Sequence, residues 1–238
     1  MTKPKFDLDK IKYGVDPSTF QKAIDLYKKD KVINFEEALA SYTADVVGTK
    51  NYHVSVEARD YRYCYCNCYL GQNDTLCKHA VAVAIFAVTN GGKLTKEDET
   101  QITKPKSSGI IGELTENELK LVKAEITESV TYIKYYDGPS RTWFAYQNSL
   151  DDGVNRLSKI VSKLPINIQT TDLIINLLLR LDKKLQSGVD DSNGTVGGFI
   201  EETVELLKDF AKKDPKVTIS FKKLIGINSC FGWEKTLI

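Results

Sequence analysis

The chain has 238 residues, 42% of them hydrophobic and 27% charged, and it carries 33 Lys plus Arg against 32 Asp plus Glu. That is an ordinary globular composition, enough to bury a core in one large or two small domains without cysteine staples. With no basic half and no basic tail, the charge balance argues against strong non-specific nucleic-acid binding, which depends on displacing counterions with Lys and Arg. It leaves open a local patch assembled by folding.

The start, MTKPKFDLDK, is polar and charged, without the apolar stretch of a signal peptide. The longest apolar run, Ala80 to Val88, is shorter than the ~20 residues of a spanning helix. A soluble, cytoplasmic protein with no membrane role is the expectation. Asp16-Pro17 predicts a helix start, because Asp caps and Pro is tolerated at the first helical position. Phe20, Ile24 and Tyr27 follow at helical spacing. A strand around Ala44 to Val47, a turn at Gly48-Thr49-Lys50-Asn51 and a strand alternating through Tyr52, Val54 and Val56 then predict a hairpin. A third strand is expected with Tyr61, Tyr63 and Tyr65 on one face and Arg62, Cys64 and Cys66 on the other. The tyrosine strip is read as packing a sheet face against a helix rather than as a stacking platform. The run KHAVAVAIFAV predicts a helix, apolar all round and so buried, stopped at Asn90-Gly91-Gly92.

Residues 91–110 are polar and broken by Gly and Pro, which predicts a linker. Beyond it the period is helical. Thr115 and Glu118 form a capping-box pattern. Apolar stripes run through Leu119 to Ile133, Trp143 to Leu164 and Leu173 to Leu185, with further segments at Phe199 to Ala211 and Val217 to Leu224. The reading is an α+β protein. A small β-β-α module with its N-terminal helix spans residues 1–90, and an all-helical domain spans residues 111–238.

Four of the five cysteines and one of the two histidines crowd into CYCNCYLGQNDTLCKH, residues 64–79. Close cysteines beside a histidine in a reduced compartment point to a metal more than to disulfides. Three thiolates and one imidazole are a usual set for structural zinc. The pattern is C-x-C, eight residues, then C-x-H. Cys64, Cys66 and Cys68 fall on one strand face, so spacing alone allows either Cys64/Cys66 or Cys66/Cys68 as the first pair. Four protein ligands leave no open position for water, so the ion would supply folding energy rather than hydrolysis. Three thiolates and Zn2+ leave a charge of −1, which Arg59, Arg62 and Lys78 are placed to offset.

The β-β-α context, C-x-C followed by C-x-H and "CKH" opening an Ala/Val-rich helix together resemble the SWIM zinc finger, over residues 35–90. The upstream ADVVGTKNYHVSVEA also resembles these proteins. WFAYQ and GVDDSNGTVGGFIEE more loosely resemble the helical region of bacterial SWIM-containing proteins. The resemblance implies Zn2+ held by Cys66, Cys68, Cys77 and His79, with Cys64 the alternative ligand, and binding to DNA or protein. The chain departs from the family where a proline often follows the second cysteine; here it is Tyr69.

His53 alternates with Tyr52 and Val54 and is expected to face solvent. With His79 on the metal, it is the only histidine left for a Ser-His or Cys-His pair. Cys230 is read as core, or as part of a tail docked through Phe231 and Trp233. DDSNGTVGGFIEE fails as a calcium loop, since the first and twelfth positions fall on Val189 and Ile200. It reads instead as a turn capping the next helix. The functional expectation is a non-enzymatic adaptor binding protein or nucleic acid, with Arg59, Arg62 and Lys78 as contacts and no small-molecule substrate. A second reading gives the helical domain an accessory or catalytic role with the finger as docking arm. No P-loop, nucleophile elbow or paired histidines support that reading.

Overall fold

A computed structural model describes residues 3–238. The chain forms two compact units, Met1–Gln101 and Ile102–Ile238. The architecture is α+β: a small antiparallel sheet with its helices, then a helical region.

The first unit opens with α1 (Leu8–Tyr13), capped by Asp7, and α2 (Pro17–Lys28). The Asp16 carboxylate accepts from the Thr19 N–H at 2.9 Å and so closes the first turn of α2. Four strands follow: β1 (Val32–Glu37), β2 (Ser41–Val47), β3 (Asn51–Glu57) and β4 (Cys64–Cys66), paired antiparallel in that order. On β2 and β3 the buried residues alternate, Tyr42, Ala44 and Val46 with Val54 and Val56, so one sheet face is apolar. β4 aligns Cys66 with Val54 and Cys64 with Val56. A short turn of helix, α3 (Tyr69–Gln72), leads to α4 (Lys78–Thr89). α4 packs across the sheet and against α2. That double contact explains why its sequence is apolar all round, with His79 to Ile85 buried. Asn90 ends it in the left-handed conformation, φ 49°.

Two elements here carry little pattern. α1 is only six residues long. β1 is broken in register between Ile33 and Glu36, where Asn34 takes φ 52°, so its side chains do not alternate. The third strand is also shorter than its sequence predicts. Tyr61 lies before it, buried edge-on against Phe6. Its hydroxyl donates to the Lys10 carbonyl of α1 at 3.2 Å, whereas Tyr63 and Tyr65 are 56% and 55% exposed, so only the first tyrosine of the strip packs against a helix. The valines of β3 fix the reason: they turn the cysteine side of β4 inward and the tyrosine side outward.

The polar stretch at 91–110 is divided. Its first part carries α5 (Lys96–Glu99). Lys12, fully buried, donates from Nζ to the Glu97 carbonyl at 2.6 Å, and Lys28 pairs with Glu99 at 2.8 Å. The second part runs beside the 162–166 segment, where the Ile166 N–H donates to the Ile110 carbonyl at 2.7 Å.

The second unit comprises α6 (Glu116–Val130), α7 (Trp143–Val161), α8 (Ile168–Gln186) and α9 (Thr195–Lys213). The capping box forms: Glu118 donates its N–H to Thr115 Oγ1, and its carboxylate accepts the Thr115 N–H at 2.8 Å. Leu150, Leu157, Ile174, Leu178, Phe199 and Leu207 lie in one apolar core. Residues Pro215–Leu224 form a 3-10 helix rather than an α-helix. Trp233 is buried and donates its indole N–H to Asp182 at 3.3 Å. Phe231 beside it is 59% exposed, and the tail docks through Trp233, with Leu237 against the same core and the Cys230 N–H donating to Asp182 at 2.9 Å.

The Asp190–Gly198 loop is a capping loop. Asp190 accepts from the Trp143 indole at 2.9 Å, and Asp191 accepts from the N–H groups of Val196 and Gly197, both at 2.8 Å. Those are two of the orphan donors that begin α9. Asp191→Ala is expected to cost about 1–2 kcal/mol. It would appear as a lower urea midpoint at unchanged slope, and an unchanged midpoint would show that the cap is redundant. Among the described residues, no helix is long and apolar enough to cross a membrane.

Candidate metal centre

The sheet and α4 bring four donors together. Cys66 ends β4, Cys68 caps α3, Cys77 sits at the N-cap of α4, and His79 lies in its first turn. The three sulfurs and one imidazole nitrogen all lie within 4.8 Å of one another. His79 Nδ1 is 3.8 Å from both Cys66 Sγ and Cys77 Sγ. A tetrahedral ion with bonds of roughly 2.0–2.3 Å sets its ligand atoms roughly 3.5–3.8 Å apart, so the cluster has the right span to hold a metal ion. All four side chains are buried.

Neighbouring groups fix the donors. The Gly71 N–H donates to Cys68 Sγ at 3.3 Å. Tyr52 stacks on the His79 ring, centroids 4.2 Å apart, and holds its plane. Gly71 lies so close over Cys66 that a Cβ there would come within 2.3 Å of the Cys66 carbonyl oxygen.

The thiols do not share charge evenly. A hydrogen bond from Cys66, with help from His79, pulls the Cys77 thiol well below the usual thiol range. Cys66, as the donor of that bond and buried, is pushed up. Cys77 is thus the site's readiest thiolate, and a bound cation would favour ionisation of the others.

Cys64 stands outside the four-atom cluster. It is half-buried on β4, one pleat from Cys66. Burial, then the charges of Cys77 and Cys68, push its thiol up to about 11, so it stays protonated at neutral pH. Cys64→Ser is expected to keep one metal ion per chain and to cost about 1 kcal/mol in stability. Metal analysis of the purified variant checks this, and loss of the ion would make Cys64 a ligand.

The other candidates lie elsewhere. His53 faces outward on β3, 3.2 Å from Asp45. Arg59 binds Glu57 at 2.8 Å and Arg62 binds Asp60 at 2.6 Å, so neighbouring carboxylates already hold both guanidiniums. Lys78 is exposed at the first position of α4. The support from Gly71 and Tyr52 is not legible in the sequence, because the first depends on how α3 folds back over β4 and the second on how α4 lies across β3. Comparison with protein-family models, curated proteins and solved structures gives no match.

Proposed function

We propose that the Met1–Gln101 unit is a SWIM-like binding module built around one Zn2+. Cys66, Cys68, Cys77 and His79 are its ligands, and the protein works as a non-enzymatic adaptor. One observation carries this reading: the donors are only 1%, 7%, 1% and 5% exposed in that order. Four protein donors in a closed, buried group leave no coordination position for water or substrate. Zinc with three sulfurs and one nitrogen then stabilises the fold and does no chemistry. The partner is a macromolecule, and charge favours protein over nucleic acid. The whole chain is balanced, and the two finger arginines are neutralised where they stand.

Native mass spectrometry is expected to find one zinc per chain. Fluorescence anisotropy of the zinc-loaded chain with single- and double-stranded DNA and RNA is expected to show weak binding or none at low salt. A chain purified without metal would overturn the zinc reading. Tight nucleic-acid binding that weakens steeply with salt would reveal a basic face and overturn the preference for protein.

A further inference from the structure

β4 is the last strand of the sheet, so among the described residues no strand lies along one of its edges. The register identifies the backbone groups along that edge. Glu57 donates its N–H to the Tyr63 carbonyl at 2.9 Å, and Tyr65 lies opposite Ser55. In an antiparallel pair, bonded and non-bonded residues alternate. The Tyr63 carbonyl and the backbone groups of Tyr65 therefore point to β3, the Tyr63 N–H turns back to the Asp60 carbonyl at 3.1 Å, and the backbone groups of Cys64 point off the sheet. α3 covers the Cys66 end. Beside Cys64 lies a cavity of about 480 Å³ whose walls include Glu57, Tyr63, Tyr65, Asp74 and Leu76. A bare strand edge beside a cavity is the geometry of strand addition, in which main-chain bonds give affinity and side-chain pockets give specificity.

The chain itself shows which side chain the rim accepts. The Arg59 guanidinium lies 4.7 Å from the centroid of the Tyr63 ring, while its Nε binds Glu57 at 2.8 Å. An aromatic face with a carboxylate beside it suits a planar guanidinium better than a compact ammonium. Arg59 and Glu57 are 66% and 46% exposed, so their pairing is weak and open to exchange. Tyr65 offers a second exposed ring on the same face. Asp60 neutralises Arg62, so Asp74 makes the cavity acidic, and Glu57 adds to it once an incoming guanidinium displaces Arg59.

We infer that the open edge of β4 is a strand-addition site for an extended, arginine-bearing peptide, whose guanidinium takes the place on Tyr63 and Glu57 that Arg59 fills. This rests on the reading of the unit as a metal-built binding module, because Cys66 and Cys77 form part of the cavity wall.

The test uses the full zinc-loaded chain and a fluorescein-labelled short peptide of alternating valine and arginine, followed by anisotropy. Methylating the alternate amide nitrogens that would face Cys64 is expected to weaken binding about tenfold. Replacing arginine by lysine, or Tyr65→Ala, is expected to weaken it roughly threefold or more. Arg59→Ala is expected to tighten it, because it removes the internal competitor. Equal binding of the methylated peptide would reduce the effect to surface charge and overturn the proposal, as would an Arg59→Ala chain that binds more weakly or no differently. Preference for a short single-stranded DNA, lost in Tyr65→Ala, would make the face a stacking platform instead. A chain that carries one zinc and melts cooperatively, yet ignores the peptide, sinks this inference and leaves the metal-built module standing. A chain without zinc sinks the module itself.

Discussion

Cys77→Ser is expected to abolish zinc binding and unfold the sheet-bearing unit. Structural zinc contributes on the order of 10 kcal/mol to small domains at neutral pH. A domain's whole stability is about 5–15 kcal/mol, so losing a ligand removes most or all of the margin. The position makes the effect larger. Cys77 is 1% exposed and begins α4, the helix that packs on both α2 and the sheet. With serine there, Cys66 loses the acceptor of its hydrogen bond and His79 loses a neighbouring donor at 3.8 Å. Metal analysis should read no zinc. Amide NMR signals of the first unit should collapse to random-coil positions while those of residues 102–238 persist. A variant that keeps one zinc and its native melting profile would show that the ligands are wrongly assigned.

The second large effect is expected at Gly71, which is not a ligand. A Cβ there would lie 2.3 Å from the Cys66 carbonyl oxygen and 2.7 Å from Cys66 Cβ, with backbone that cannot swing aside. Gly71→Ala must therefore lift α3 off β4. That movement carries Cys68 away from Cys66 and breaks the N–H bond to Cys68 Sγ. Loss of such supporting contacts costs on the order of 10–100-fold in metal affinity. Competition with a chromophoric chelator measures it, and an unchanged affinity would show that the turn relaxes without disturbing the cluster.

The strong signals in the sequence were local ones. Asp16-Pro17, the Thr115/Glu118 box and the C-x-C and C-x-H spacings each act within a turn or a pleat, and each appears in the structure. What the sequence hid depends on tertiary context. Nothing local tells which face of β4 turns inward; the pairing with Val54 and Val56 decides it. The same pairing overrode the expectation that Tyr63 and Tyr65 would pack. β1 was hidden because Asn34 interrupts its alternation. The choice between Cys64 and Cys68 was likewise open on spacing, and the fold of α3 draws Cys68 into the cluster.

Both tryptophans of the chain, Trp143 and Trp233, belong to the helical unit, one bonded to Asp190 and the other to Asp182. Excitation that only indole absorbs therefore illuminates one half of the molecule, and the sheet and its cysteines are silent in it. Chelator-induced loss of the first unit should leave that emission unchanged while the amide circular dichroism falls. Two probes that disagree during one titration are the signature of units that do not unfold together. The placement of two indoles thus gives the protein a built-in optical test of how far its halves depend on each other.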